Sequence, residues 1–512
     1  MKLNYKKTIF VGFAFFLICT FWQAYDTLVP KILTDKFGMP QTVSGIVMAL
    51  DNVLALFLLP LFGSLSDRHK GKRGRRTPFI VIGTLLASVL LVTLSVADNA
   101  QLAKIEAVSG IDDPAALEVL YDESDELSVE FDGKKISEIF TKEEFTAIRS
   151  DDKTNDDYTT YVVPLRQSYA ASRTKADPLP FILFTVILLL ILVSMGIFRS
   201  PAVALMPDVT PKPLRSKANA IINLMGAVGG ILVLALGIVF GTGKAQNALM
   251  SYTAFFGVVA GIMLVCLVIF LLRVNEPRLV REMEEESRLY GVEEDEKAEE
   301  AQVTDARLSP AQMRSLFLIL ASVVLWFMGY NAVTSKYSVY AGSVLGLDYN
   351  TTLIVAQAAA IVSYVPIGFI SSRVGRKKTI LGGIALLGTA FLVASFLREG
   401  SSPLLLNVLF AMAGMGWAAI GVNSYPMVVE LAKSGNVGKY TGFYYTASMA
   451  AQTLTPVLSG ALMDSPLGMT SLFPYATVFV ALAALTMLFV KHGDVKPTEK
   501  KSLLETLGTD TE

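Results

Sequence analysis

Two acidic residues stand inside long apolar runs of this 512-residue sequence. Asp26 lies in FWQAYDTLVP and Asp51 in MALDNV. A charge in mid-bilayer costs roughly 2.5–3.5 kcal/mol on insertion scales, so such residues persist mainly where they are paired or functional. At 1.5 Å per residue, the two carboxyls lie about 10 and 14 Å below the same membrane face. Burial and mutual repulsion raise the pKa of at least one of two neighbouring carboxyls toward neutral, and this favours proton exchange. The alternative is that each acid is solvated at a pore mouth or caps neighbouring backbone groups.

Aromatic and amide side chains surround these acids and recur at matching places later in the chain. Aromatic faces can cover the apolar surface of a ligand, while amides and hydroxyls bind its polar atoms. Trp22 and Asp26 are four residues apart and therefore share one helix face. The predicted substrate-binding residues are Trp22, Gln23, Tyr25, Tyr330, Asn331, Gln357, Asn423, Tyr425, Tyr445 and Gln452. Packing, or a place in the interfacial belt, is the competing interpretation of each aromatic.

The composition argues against several classes of protein. Apolar residues make up 53% of the chain and charged residues 17%, whereas an average soluble chain is about a quarter charged. A net charge of −1 gives no case for a nucleic-acid partner. With two His and two Cys, the sequence offers little for a metal site or a His-based active site. We therefore predict no enzyme activity, no metal and no cofactor.

Twelve apolar runs are long enough to cross a bilayer, which needs about twenty residues. Lys and Arg cluster before the first run, after the second and after the eighth, while the alternate loops hold few. Positive charge of this kind favours the cytoplasmic side, so both termini are predicted there. The sequence thus indicates a multi-pass protein of the cell (plasma) membrane.

Two long polar segments interrupt the runs and define the predicted domains. The predicted parts are an N-terminal six-helix bundle of 1–97 and 179–272, an acidic extracytoplasmic insert of 98–178, a charged cytoplasmic linker of 273–313, a C-terminal six-helix bundle of 314–491 and a cytoplasmic tail of 492–512. A strand-like stretch at 128–131, a turn at 132–133 and a helix-like stretch at 142–149 indicate that the insert is folded.

The two halves of the sequence repeat each other. At a spacing of 305 residues the matching pairs are Phe21 and Trp326, Tyr25 and Tyr330, Asp26 and Asn331, Lys31 and Lys336, and Gly63 and Gly368. Asp208 and Glu430 are 222 apart, and the difference of 83 is close to the 81 residues of the insert. We predict an all-α polytopic membrane protein with twelve transmembrane helices in two pseudo-symmetric six-helix bundles, with a small extracytoplasmic insert between helices 3 and 4.

A short basic link, GSLSDRHKGKRGRR, follows the second run at 63–76. It resembles the signature of the major facilitator superfamily, in which an acid and several bases join helices 2 and 3. The resemblance implies that Asp67 and an Arg meet an acid at the end of helix 4, where Asp208 stands, and latch the cytoplasmic side. The predicted cytoplasmic-gate residues are Gly63, Asp67, Arg68, Arg75, Arg76, Asp208, Arg199, Arg373 and Glu430. A loop that merely fixes topology is the alternative.

Three further segments indicate which group of the superfamily the sequence resembles. GRRTPFI at 74–80, RSPAVALMPDVT at 199–210 and YSVYAG at 337–342 resemble the plant-type sucrose carriers, which border the glycoside–pentoside–hexuronide:cation symporters. The resemblance implies cation-coupled sugar movement by a monomer. One departure concerns helix 4, because the carriers have a proton-binding acid in its middle and residues 188–196 here are apolar apart from Ser194.

The sequence therefore favours a secondary active transporter that carries a sugar, a disaccharide or glycoside, in symport with a cation. H⁺ is favoured over Na⁺ as the coupling cation. One alternative is a proton-coupled efflux antiporter for amphipathic compounds. Another is a transporter-like receptor or sensor that uses the outer insert as its binding module.

Overall fold

A computed structural model describes residues 3–127, 129–151, 156–211, 214–289, 309–429, 431 and 437–493. Twelve long helices follow one another in these residues, and we number them α1 to α12 in chain order. They are Tyr5–Lys31, Gln41–Arg68, Thr77–Lys104, Leu179–Asp208, Arg215–Phe240, Thr253–Arg273, Pro310–Ser343, Tyr349–Val374, Arg376–Ala394, Pro403–Val429, Val437–Met463 and Leu472–Leu488. Within the described residues ten helices are long and apolar enough to cross a bilayer, or eleven if the bent α8 counts as one span.

The long helices form two bundles of six. Helices α1 to α6 enclose one core of buried apolar side chains, and α7 to α12 enclose a second. The packing pairs repeat, because α1 on α5, α3 on α4 and α3 on α6 correspond to α7 on α11, α9 on α10 and α9 on α12. The predicted all-α fold with two pseudo-symmetric bundles is confirmed.

Consecutive long helices alternate in direction, which gives the molecule two distinct ends. The start of α1 and the α2–α3 link lie at one end, together with a helix at Glu276–Leu289 that Lys7 reaches through an ion pair with Glu282. We call this end the terminal side. The segment between α3 and α4 lies at the other end, the insert side.

The insert has its own small core. Its helices are Pro114–Glu123, Ile136–Ile139, Lys142–Thr146 and Val163–Ala176, and they pack around buried Leu117, Phe145 and Leu165. The strand-like stretch at 128–131 contributes an isolated β-bridge between Phe131 and Lys134, because the turn at 132–133 reverses the chain at once. Ser128 lies outside the described residues.

The bundles meet at their insert-side ends. In α2 the buried residues cluster between Gln41 and Ala49, whereas Ala55 and Ser66 are the buried ones in the remainder. Gly45 lies against Pro456 of α11 and Gly460 lies against Gln41, so the missing side chains allow close helix contact there. Toward the terminal side the side chains of α2 become more exposed, and we interpret this as a separation of α2 from the second bundle.

Candidate functional site

The two predicted acids share one electrostatic environment with an arginine. Asp26 on α1 and Asp51 on α2 are half-buried, and Asp26 interacts electrostatically with both Asp51 and Arg199. Asp51 accepts a hydrogen bond of 2.7 Å from the side chain of Asn52. In the described part of the chain neither acid makes an ion pair at contact distance. Three helices of the first bundle thus bring two acids and one base together.

Arg199 lies beside Trp22, Asp26 and Asp51, in the part of the molecule that we call the central region. The sequence had suggested a place at the cytoplasmic gate instead. The guanidinium of Arg199 lies 5.2 Å from the ring centroid of Trp22, and both residues line a small cavity together with Asp51. The physical reason is helix length, since nine residues separate Arg199 from Asp208 and span about 13.5 Å of helix. The cation therefore lies over the indole face and beside the acids.

Aromatic rings cover two walls of this region. On α1, Trp22 makes edge contacts at 5.3 Å with the rings of Phe21 and Tyr25. On α7, Tyr330 stacks on Trp417 of α10 with ring centroids 3.7 Å apart and ring planes at 5°. Tyr330 also interacts electrostatically with Asp26, so the two walls approach each other across the bundles.

Three hydrogen-bond donors of this region lack a partner among the described residues. They are the indole Nε1 of Trp22, the hydroxyl of Tyr25 and the amide Nδ2 of Asn331. Buried polar groups in proteins are nearly always satisfied by protein, water or ligand. These donors are therefore available to water or to a ligand that carries acceptor atoms.

The remaining predicted substrate-binding residues fall into four places. Gln357 of α8 donates to Gln23 across the bundles at 2.5 Å, so this bond joins the two bundles within one helical turn of Asp26. Asn423 is buried and its carbonyl accepts from Ser371, so it joins α8 to α10. Tyr425 and Tyr445 have rings 6.2 Å apart near the terminal ends of α10 and α11. Gln452 is half-buried on α11.

At the terminal side, Arg76 gathers the predicted gate residues around itself. Its guanidinium pairs with Asp67 and Asp208, at 2.8 Å for Asp208, and donates to the hydroxyl of Ser66 at 2.5 Å. The carbonyl of Gly63 accepts a further bond of 3.4 Å from Arg76, and Arg75 binds Asp208 at 2.8 Å. The structure therefore connects α2, α3 and α4 through one buried guanidinium.

Glu276 completes this cluster and was missed by the sequence analysis, which placed it in the charged linker. The residue is buried, and its carboxylate accepts from the backbone N–H groups of Arg75, Arg76 and Thr77 at 2.8–2.9 Å. An acid at a helix N-terminus satisfies free donors and complements the helix dipole. The signal in the sequence is an acid one turn beyond an apolar run, in RVNEP.

The second half builds its corresponding link differently. Arg68 and Arg373 are exposed, and Ser372 stands where the acid would be. Lys377 donates to the carbonyls of Leu488 and Val490 at 2.8 and 2.7 Å. The predicted gate residue Glu430 lies outside the described residues.

A family model described as the Major Facilitator Superfamily matches residues 11–110, 170–363 and 350–508. These segments cover most of the chain. The chain belongs to the Major Facilitator Superfamily. The resemblance that the 63–76 link carries is thereby confirmed at the level of the superfamily.

Two curated relatives match shorter segments of this superfamily member. The MFS-type transporter ppzB of Metarhizium rileyi (strain RCEF 4871) is 27% identical over 135 residues, which are 26% of this chain and 27% of that protein. The uncharacterized symporter YjmB of Bacillus subtilis (strain 168) is 28% identical over 100 residues, 19% of this chain and 22% of that protein. The matches thus span about a quarter of the length of these relatives.

Solved structures share the whole fold. The xylose transporter XylE from E. coli, in an inward open conformation, has a TM-score of 0.58 at 15% identity and covers 99% of this chain and 100% of its own. A bacterial homologue of the iron transporter ferroportin, in an inward-facing state, has a TM-score of 0.59 at 13% identity and covers 96% and 100%. At these identities the similarity establishes the fold, and the chain is a multi-span membrane protein of the superfamily.

Proposed function

We propose that this protein carries a sugar across the cell membrane in symport with protons, by alternating access between its two bundles. A disaccharide or other glycoside is the favoured substrate. The observation that carries the proposal is the central region, in which two acids and one arginine lie beside Trp22 on α1, α2 and α4, with donors that have no partner among the described residues and with the Tyr330–Trp417 stack of the second bundle nearby.

The substrate part of the proposal rests on complementary chemistry. Sugars present hydroxyls at their edges and C–H groups on their faces, so they need hydrogen-bonding groups beside aromatic planes. Trp22 supplies one plane and an indole donor with no partner among the described residues. The Tyr330–Trp417 stack supplies the second plane. The solved relative XylE is described as a xylose transporter, which agrees with this substrate class.

The proposed proton coupling rests on the net charge of the central region. Two ionised acids and one arginine leave an excess negative charge in the middle of the membrane, because 2 − 1 = 1. Moving such a site between the two faces is costly unless a cation neutralises it. A proton on Asp26 or Asp51 would do so and let the loaded carrier reorient, while the unprotonated carrier would be held back.

The orientation completes the proposal. With the basic α2–α3 link facing the cytoplasm, the terminal side is the cytoplasmic one and the described conformation is open inward. The cluster around Arg76 then lies on the cytoplasmic face of the first bundle. We place the protein in the plasma membrane with both termini inside, acting as a monomer.

The test is sugar uptake into proteoliposomes under an imposed inward pH gradient. We expect accumulation of a disaccharide, with loss of accumulation in Asp26→Asn down to the rate of protein-free liposomes. Asp132→Asn is the matched control, since it neutralises an exposed acid of the insert at a left-handed backbone position that Asn tolerates. Sugar-independent, proton-driven expulsion of amphipathic dyes would instead show an efflux antiporter.

A further inference from the structure

A second cavity lies away from the central region, at the insert-side end of the second bundle. Its volume is about 430 Å³, and it opens between the end of α9, the end of α11 and the start of α12. Its lining includes the polar residues Ser395, Arg398 and Ser471 and the apolar residues Leu467, Val478 and Phe479. None of these residues belongs to the central region.

The cavity lies at the insert-side ends of the helices, where we expect the bilayer to end. Helix α9 ends at Ala394 and α12 begins at Leu472, so the polar lining is at the level of the helix ends. Apolar side chains around it are strongly exposed, with Leu467 at 64% and Val478 at 56%. In a multi-span protein an exposed apolar surface of this kind faces lipid.

Arg398 gives this cavity a specific chemistry. Its Nη1 donates to the carbonyls of Ser395 and Leu397 at 2.9 and 2.7 Å, which fixes the plane of the guanidinium. Its Nε and Nη2 groups have no partner among the described residues, and the side chain is exposed. A guanidinium held in this way presents two parallel donors, and this geometry matches a phosphate.

We propose that the cavity binds one membrane phospholipid. The phosphate is bound by Arg398, and an acyl chain lies along Val478 and Phe479. Charge and polarity together select this occupant, because a cation at the level of the headgroups borders an apolar wall that continues toward the membrane interior. The same arrangement does not suit a sugar, which would leave the apolar wall uncovered.

The test is native mass spectrometry of the purified full-length protein mixed with phosphatidylglycerol in mild detergent. We expect one tightly retained lipid per protein, and retention about tenfold weaker in Arg398→Gln, which removes a charge-assisted hydrogen bond. Arg149→Gln is the matched control, because the Nη1 of Arg149 makes the same two carbonyl bonds, at 2.7 and 2.8 Å, within the insert. Arg149→Gln should retain the lipid as the unmodified protein does.

Diacylglycerol with the same acyl chains is the control ligand, since it has no phosphate and should be lost readily from the unmodified protein. If Arg398→Gln elutes as aggregate, Leu467→Glu replaces it, because this change puts a negative charge on an exposed part of the rim and should repel the phosphate. Equal retention of both lipids, equal retention in Arg398→Gln, or inorganic phosphate competing as well as phosphatidylglycerol would overturn the proposal.

Discussion

The two bundles have the same helix packing but a very different distribution of charge. Within the bounds of α1 to α6 the sequence has five acids, Asp26, Asp51, Asp67, Asp98 and Asp208. Within the bounds of α7 to α12 it has no Asp or Glu. The first bundle therefore holds the acids to which we assign the proposed proton exchange. The second offers aromatic and amide groups, such as Tyr330 and Asn331, at the repeated positions.

Two lysines at repeated positions also differ between the bundles, in the partners that they have at the insert side. Lys31 and Lys336 are 305 residues apart and both are buried. Lys31 pairs with Asp35 of its own bundle at 2.9 Å. Lys336 donates across the bundles to the backbone carbonyl and side-chain oxygen of Gln41, at 2.7 and 3.3 Å. One copy thus stabilises its own bundle, and the other joins the two bundles.

The largest expected effect concerns the link in the first bundle. Arg76→Gln removes the buried guanidinium that Asp67 and Asp208 share and leaves Asp208 with Arg75 alone, and breaking a buried ion pair costs about 3 kcal/mol. We expect the free energy of unfolding in detergent to fall by about that amount. Chemical denaturation followed by tryptophan fluorescence measures it.

Lys377→Gln is the comparison in the second bundle. Among its contacts, Lys377 donates to two backbone carbonyls, and a Gln amide can still donate to one of them, so we expect the part of the loss that comes from these two bonds to be about 1 kcal/mol. Equal losses in the two variants would contradict the idea that buried charge carries the stability of the first link.

The next effect concerns the equilibrium between conformations. Lys336→Gln removes a charged donor that bridges the bundles when the insert side is closed, a bond worth about 1.5–3 kcal/mol. We expect the population open toward the insert side to rise roughly tenfold. Distances between spin labels on the insert-side ends of α6 and α12 report this population.

Lys31→Gln serves as the matched variant for that measurement. Its ion pair lies within one bundle and is therefore present whether the insert side is open or closed. Its label distances should match those of the unmodified protein. A shift as large as that of Lys336→Gln would mean that both lysines act through bundle stability.

The smallest effect concerns the insert, which also touches the second bundle. The hydroxyl of Thr159 donates to the carboxylate of Glu399 at 2.6 Å. Thr159→Ala removes one such bond, worth about 1 kcal/mol, so we expect a shift of about fivefold in the same direction. Thr146→Ala, in the insert, removes a hydroxyl that bonds to its own helix and should leave the label distances unchanged.

The sequence predicted the fold well because length and hydropathy determine how many helices cross a membrane. It did not predict well which face of each helix is turned toward the centre of the molecule. A membrane helix is apolar on nearly every face, so periodicity does not show which face meets a cavity. For this reason Arg199 was assigned to the gate, and Trp417 was not recognised as the partner of Tyr330. A Trp in the middle of an apolar run, away from the interfacial belt, is the signal that was available.

Contacts across large sequence distances could not be predicted from the residues themselves, and the meeting of Arg76 with Asp208 was expected only from the family resemblance. Glu276 caps α3 from about 200 residues away, and Asp464 accepts from the backbone N–H groups of Gln41 and Thr42 more than 400 residues away. Spacing within one helix carries no information about such contacts. The functional assignments of Asp26, Asp51 and the cavity-lining residues stay predictions until transport is measured.

The separation of α2 from α11 toward the terminal side has a practical consequence for sidedness. A bulky glycoside that binds but cannot be carried would reach the central region from the terminal compartment and wedge the bundles apart. Added from the opposite compartment, it would meet a closed surface. Inhibition should therefore depend on which side receives the compound, and a vesicle population of mixed orientation should be only partly blocked.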